Sequence, residues 1–229
     1  MTGLSPQEWQ AVELSLRVAL VATLFSLPLG IGVAYVLARC RFPGRDLLNG
    51  LVHLPLILPP VVTGYLLLVT FGRRGTIGTW LEQVGIVFAF DWTGAALAAG
   101  IMAFPLMVRA IRLSMEAVDP GLEAAAATLG ASPLRVFVTL TLPLSLPGIL
   151  AGSVLAFAKA MGEFGATITF VSNIPGQTQT LPSAIYALLQ VPGGEPQALR
   201  LILISVSVAM GALLLSEVLA RRLQRRMTS

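Results

Sequence analysis

Charged residues are scarce in this sequence. Only 11% of its 229 residues are Asp, Glu, Lys or Arg, whereas soluble domains carry about 25%. The hydrophobic set makes up 55% of the chain, and the mean hydropathy is +0.83. A single water-surrounded core of this length cannot bury so many apolar residues, so much of the surface must face lipid. The composition excludes a soluble enzyme and a disordered chain.

Chemically reactive side chains are also few, since Cys40, His53 and Lys159 are the sole cysteine, histidine and lysine. One cysteine cannot form an internal disulfide, which excludes a disulfide-stapled secreted domain. The lone lysine lies between two alanines, so the chain lacks the Gly-x4-Gly-Lys-Ser/Thr of a P-loop. Any ATP hydrolysis must therefore come from another subunit. We expect no metal site and no cofactor in this chain.

Five apolar runs approach the length of about 20 residues that crosses a hydrocarbon core. They are Val18–Leu37, Leu47–Phe71, Trp92–Val108, Leu146–Val171 and Leu199–Ala220. The predicted fold class is all-α, a polytopic membrane helix bundle of five transmembrane helices, with 1–229 forming one transmembrane domain. A sixth crossing within 72–92 or 173–197 stays open. The shorter stretch Leu181–Val191 is interpreted as an outer-side or re-entrant helix.

Basic residues favour one side of the predicted spans. Four of them belong to the other side: Arg17, Arg73, Arg74 and Arg200. Ten follow or flank the odd-numbered spans: Arg39, Arg41, Arg45, Arg109, Arg112, Arg135, Arg221, Arg222, Arg225 and Arg226. The positive-inside rule then predicts a cytoplasmic C-terminus and an external N-terminus. Because these cations cap apolar runs instead of forming a polar face, no nucleic-acid partner is expected.

The cytoplasmic loop at about 114–145 is more than a connector. Asp119 can cap a helix whose first turn contains Pro120. Four successive alanines, 124–127, favour helix, and Gly130 suits the left-handed position that ends one. The predicted helix is short and exposed. It either meets another protein or lies against the membrane or its own bundle.

This loop resembles the EAA signature of importer-type ABC permeases. Two alanines, three residues, Gly130, nine residues and then Leu-Thr-Leu-Pro reproduce its spacing, although the acidic residue stands one position earlier than is usual. In that family the loop forms a coupling helix that enters a groove of a separate ATPase subunit. The resemblance assigns the coupling role to Glu123, Ala124, Ala125, Ala126, Gly130, Leu142 and Pro143.

Segments 53–65 and 162–176 make the resemblance closer, because they are similar to molybdate-type permeases. The Gly-Glu-Phe-Gly-Ala sequence at 162–166 is shared with sulfate-type relatives. The resemblance extends over nearly the whole chain and implies the type I ABC importer permease fold. It also implies a homodimer in the bacterial inner membrane, two ATPase subunits and a periplasmic oxyanion-binding protein. Molybdate or tungstate-like oxyanions are the expected substrates, and sulfate is the alternative.

Candidate pathway residues lie in the second and fourth spans. Prolines in the second span remove helix hydrogen bonds, and the freed carbonyls need neighbours or a wet cavity. This predicts a pathway liner and possible gate, or else a static kink. Lysine and glutamate four residues apart should pair on one helix face, either structurally or to attract an anion. Hydroxyls can line a path or bond their own backbone. The candidates are Pro59, Pro60, Thr63, Gly64, Lys159, Glu163 and Thr167.

Two other classes of function compete with ATP-driven import. An ion-coupled secondary transporter would use the lysine–glutamate pair as its proton-linked site, but the five runs show no obvious inverted repeat. A membrane scaffold would have no need of a proline-broken span or of charges at membrane depth.

Overall fold

A computed structural model describes residues 4–227, with side-chain burial described up to Leu215 and for Val218. These residues form helices and connecting loops without strands, which confirms the predicted all-α class. A π-helical turn, Phe137–Thr141, separates the seventh and eighth helices. The helices are α1 (Pro6–Arg39), α2 (Arg45–Ile57), α3 (Pro60–Phe71), α4 (Gly78–Gln83), α5 (Trp92–Glu116), α6 (Pro120–Thr128), α7 (Pro133–Val136), α8 (Leu142–Leu144), α9 (Leu146–Met161), α10 (Gly165–Val171), α11 (Leu181–Leu189) and α12 (Glu195–Met227).

Within the described residues, three helices are long and apolar enough to cross a membrane: α1, α5 and the Glu195–Leu215 part of α12. Two bent pairs raise the number to five if each pair is one span. Helices α2 and α3 meet at 112°, and the segment Pro133–Leu144 meets α9 at 67°. The stretches left open for a sixth crossing contain α4, with six residues, and α11, with nine. Both are too short to span.

The prediction of one continuous fourth span is wrong. Helix α9 ends at Met161 and α10 begins at Gly165, although apolar residues predominate on both sides of the gap. Glycines on both sides of the gap weaken the helix. Glu163 Oε1 accepts a hydrogen bond from Ala166 N at 3.1 Å, which satisfies one of the free N–H groups in the first turn of α10.

The second span is broken more sharply than a kink. Its two helices are separated by Leu58 and Pro59, both in extended conformation. Proline disfavours the α region for the residue before it, and here two prolines follow in succession. Pro60 can begin α3 because the first helical position needs no backbone N–H partner.

Helix α5 is the centre of the bundle and packs against α1, α9 and α10. Glycines bring the neighbouring backbones close to it. A Cβ on Gly30 of α1 would lie 2.9 Å from Met107 Sδ, and one on Gly152 of α9 would lie 3.0 Å from Met107 O. Such small-residue contacts are typical of helix packing in membranes, where dispersion contacts replace the hydrophobic driving force.

The loops predicted to share one side do meet at one end of the bundle. We call this the basic end; it comprises the ends of α1 and α5, the start of α2, and α6 to α8. Arg112 Nη1 from α5 donates to Asn49 Oδ1 of α2 at 3.0 Å. At the opposite end, Arg200 of α12 pairs with Glu8 of α1 at 3.0 Å. The cations at 221–226 lie outside the residues whose side chains are described.

Candidate coupling surface and pathway junction

Helix α6 forms as its end signals predict. Asp119 Oδ1 accepts a hydrogen bond from Gly121 N at 2.8 Å, and Pro120 occupies the first helical position. Gly130 ends the segment with a φ of +85°, a conformation that an L side chain adopts only with strain. These local signals produce a helix of nine residues at the predicted place.

The outer face of this segment is exposed and partly apolar. No residue of α6 is buried, and Ala124 and Ala125 face outward. Leu122, Leu129 and Leu134 expose 50%, 89% and 72% of their surface. Because these leucines lie outside the five possible spans or at the short start of one, lipid is a poor explanation for them. Several exposed large apolar side chains within one short segment outside the lipid are typical of a protein-binding surface.

The inner edge of α6 is tied to the bundle by Glu123. Its Oε1 atom accepts hydrogen bonds from Arg39 Nε at 3.1 Å and from Thr141 Oγ1 at 2.6 Å. Sequence reasoning used Arg39 only for orientation and gave Thr141 no role. Nothing in the sequence indicates that residues 84 positions apart would meet. Leu142 and Pro143, also predicted for coupling, are half-buried just after Thr141.

The second candidate site is the contact between α3 and α10, which we call the pathway junction. A Cβ on Gly64 would lie 2.5 Å from Ala166 O, and one on Gly165 would lie 2.7 Å from Pro60 Cβ. The two short helices therefore touch backbone to backbone. The structure brings Pro60 and Gly64 from the second predicted span against the broken part of the fourth.

Lys159 and Glu163 form the predicted ion pair beside this junction, with Nζ 2.5 Å from Oε2. The glutamate lies in the break after α9 rather than within one helix, and its side chain is 1% exposed against 30% for the lysine. Its other oxygen, Oε1, accepts the hydrogen bond from Ala166 N in the first turn of α10. The positive charge of the lysine is thus largely neutralised, which favours a structural role over attraction of an anion.

The candidate hydroxyls divide into two kinds. Thr167 Oγ1 donates to Phe164 O at 2.9 Å, so it bonds its own backbone. Thr63 is 6% exposed, and among residues 4–227 its hydroxyl has no hydrogen-bond partner. A buried hydroxyl without a partner costs free energy, so Thr63 is an unsatisfied polar group at the junction. Pro59 is exposed just outside it.

Metal-ligating side chains are dispersed in the described part of the chain. There, no three His, Cys, Asp or Glu side chains come together as a metal ion would require. The lone histidine instead contacts its own helix, with His53 Nδ1 2.8 Å from Asn49 O.

Comparison with known proteins gives one family. Residues 26–229 match the family described as "Binding-protein-dependent transport system inner membrane component". The chain is 64% identical to "Molybdenum transport system permease protein ModB" of Escherichia coli K12, covering 95% of this chain and 96% of the relative. It is 58% identical to the protein of that name from Haemophilus influenzae, covering 96% of each. Identity to "Sulfate transport system permease protein CysT" of E. coli K12 is 37%, over 81% of this chain and 67% of the relative.

Solved structures share the fold. A bacterial ABC transporter involved in the import of the acidic polysaccharide alginate matches with a TM-score of 0.76 at 19% identity, covering 96% of this chain and 80% of that one. The inward-facing MetNI methionine ABC transporter matches with a TM-score of 0.74 at 16% identity, covering 96% and 99%. At such identities the likeness concerns the arrangement of helices.

Proposed function

Because the chain belongs to the family of binding-protein-dependent transport system inner membrane components, we propose that it is the permease subunit of an ATP-driven importer of molybdate. Its identity to molybdenum permeases, 64% and 58% over nearly full length, exceeds the 37% to a sulfate permease. The chain is a multi-pass inner membrane protein that forms the translocation pathway. ATP is hydrolysed by a separate subunit.

The observation that carries this function is the exposed, capped helix α6, with Leu122 on it and the exposed Leu129 and Leu134 just after it. A bundle that only conducts ions or supports other proteins needs no such projection. A helix that docks on an ATPase subunit must project in this way, and the alanine-rich outer face of α6 lets another backbone approach closely. Tungstate-like oxyanions are within the proposed substrate range because they share the tetrahedral shape, the charge and nearly the size of molybdate, whereas sulfate shares the shape and charge but is smaller.

The proposed assembly has two copies of this chain, two ATPase subunits and a periplasmic oxyanion-binding protein. One related structure is described as an alginate transporter in complex with a loaded periplasmic protein. The basic end, with α6, faces the cytoplasm, and the N-terminus lies outside, as the positive-inside rule requires. The opposite end then receives the binding protein, and the apolar sides face lipid.

Transport follows from a shift between two states. Closure of the ATPase subunits on ATP moves α6, and the bundle turns that movement into opening or closing of the pathway junction. The junction suits this task because α3 and α10 are short helices at breaks, which can shift without unwinding a whole span. Once the junction opens, the neutralised lysine and the unpartnered hydroxyl of Thr63 hold an oxyanion weakly, as release requires.

Reconstitution tests this function. The chain is co-purified with its ATPase subunit, inserted into proteoliposomes, and supplied with loaded binding protein and radiolabelled molybdate. We expect uptake that requires ATP, is blocked by excess tungstate, and is little affected by excess sulfate. Equal competition by sulfate would assign the sulfate-type substrate instead. Uptake that survives without the ATPase and collapses with the proton gradient would establish a secondary transporter.

A further inference from the structure

One carboxylate joins three separate parts of the basic end. Glu123 Oε1 of α6 accepts from Arg39 Nε, in the last turn of α1, at 3.1 Å. The same oxygen accepts from Thr141 Oγ1, the last residue of the π-helical turn, at 2.6 Å. Arg39 Nη2 also donates to Val118 O, just before α6, at 2.9 Å. The helix is thereby attached to a spanning helix and to the segment that leads into α9.

This contact is shielded from water. The side chains of Arg39 and Glu123 are 16% and 18% exposed, and Thr141 as a residue is 1% exposed. Hydrogen bonds that involve charged groups are shorter and stronger than neutral ones, and shielding strengthens them further. Since no residue of α6 is buried, apolar packing contributes little to holding this helix. The polar contact is therefore a firm attachment on an otherwise loosely held element.

A second contact connects the same two partners of α6. Tyr35 lies one turn before Arg39 on α1, and its ring meets that of Phe137 edge to face, 4.6 Å between centroids. Phe137 opens the π-helical turn that Thr141 closes. Turns of this kind are rare and occur mostly at functional sites. Beyond it the chain bends by 67° into α9, which ends at the ion pair beside the pathway junction.

We propose that Glu123 is the positioning residue that passes the movement of α6 into α1 and α9, acting through Arg39 and Thr141. This inference rests on the proposed function, because it needs an ATPase to move α6. Glu123 touches neither nucleotide nor transported ion in this role. The coupling helix pushes on the bundle through a charged hydrogen-bonded contact, and the apolar outer face is left for the ATPase.

The ratio of molybdate imported to ATP hydrolysed tests this role. Glu123→Gln keeps the size of the side chain and an acceptor oxygen but removes the charge that holds Arg39. In the reconstituted complex we expect assembly and ATP hydrolysis to persist, while the ratio falls at least about fivefold, the lower end of ordinary coupling between sites. Glu116→Gln is the matched control, because it breaks the Arg112 pair at the same end without touching α6. It should leave the ratio unchanged.

Two further variants keep the test decisive. Thr141→Val removes one buried hydroxyl and should also lower the ratio; it decides the matter if the Glu123→Gln chain itself fails to fold. Exchanging the charges, Arg39→Glu with Glu123→Arg, should recover part of the ratio. An unchanged ratio would overturn the inference. This includes the case in which import and hydrolysis fall in proportion, as expected if Glu123 only stabilises the structure. Loss of ATPase binding alone would make Glu123 an ATPase contact and also overturn it. A wild-type complex without ATP-driven import would overturn the proposed function instead.

Discussion

At the residue scale, Glu163 serves two structures with one side chain. One oxygen forms the ion pair with Lys159 of α9, and the other accepts a hydrogen bond from Ala166 N in the first turn of α10. The pairing is predictable from sequence, because residues four apart share a helix face. The hydrogen bond to Ala166 N is not predictable, since it depends on a helix break that an apolar run does not reveal. Contacts between distant residues, such as Arg39 with Glu123, are equally hidden, because sequence spacing identifies neighbours only within one element.

Replacing Glu163 separates a structural pair from an anion site. Glu163→Gln leaves the Lys159 ammonium without its counter-charge, and we expect a loss of about 1–3 kcal/mol in unfolding free energy. Lys159→Met with Glu163→Gln removes both charges and should recover most of that loss. Thermal unfolding of the purified chain measures stability, and molybdate uptake measures function. If the double variant is stable but does not transport, the lysine attracts the ion and the structural interpretation is wrong.

The close approach at the pathway junction predicts an effect of a single methyl group. Gly64→Ala places Cβ 2.5 Å from Ala166 O, so α3 and α10 must separate. We expect a loss of about 1–3 kcal/mol from overpacking and a matching loss of uptake. Gly50→Ala in α2 is the control, because nothing lies within 4 Å of its Cβ. Equal uptake by both variants would show that the junction need not be closely packed.

At the scale of elements, the sequence predicts helices whose ends carry signals. Asp119, Pro120 and Gly130 mark α6 because each residue type has a physical preference for its position. The break at 162–164 was missed because an apolar run of sufficient length looks like one span whether or not its helix continues. The 67° bend before α9 is not predictable from sequence either. Ser145 precedes α9, but serine is common at helix starts and does not indicate a change of direction.

Backbone strain tests the importance of the end of α6. Gly130→Val forces a branched side chain to a φ of +85°, at a cost of about 1–2 kcal/mol. Gly85→Val imposes the same strain at a φ of +79° in the loop after α4. A Cβ added at either position would have no neighbouring atom within 4 Å, so crowding does not differ. We expect ATP-driven uptake to fall in the first variant and to persist in the second, and equal effects would contradict a coupling role for this segment.

At the scale of the whole molecule, the sequence predicts which loops share a side. Basic residues at the ends of the spans predict that these loops lie on the same side of the membrane. The structure brings the ends of α1 and α5, the start of α2, and α6 to one end of the bundle. How the two broken spans pack on each other could not be predicted, because lipid-facing and protein-facing apolar residues have the same composition. The central position of α5 likewise depends on glycine contacts that only the assembled bundle reveals.

Membrane orientation can be measured with single cysteines. In a Cys40→Ala background, Trp80→Cys lies at the end opposite α6, and its parent side chain is 63% exposed. Leu129→Cys lies at the basic end. We expect a membrane-impermeant maleimide to label the first in spheroplasts and the second only after lysis, because positive loops stay inside. The reverse labelling would invert the proposed topology.

The most direct measurement of the central claim is photo-crosslinking from α6 to the ATPase subunit. A photoreactive amino acid at Leu129, which is 89% exposed, is compared with the same group at Trp80, at the opposite end of the bundle. Irradiation of a transport-competent complex should join the chain to the ATPase from position 129 and not from position 80. A complex that imports molybdate yet gives no such product from position 129, or gives it equally from position 80, would contradict docking of the ATPase on this helix.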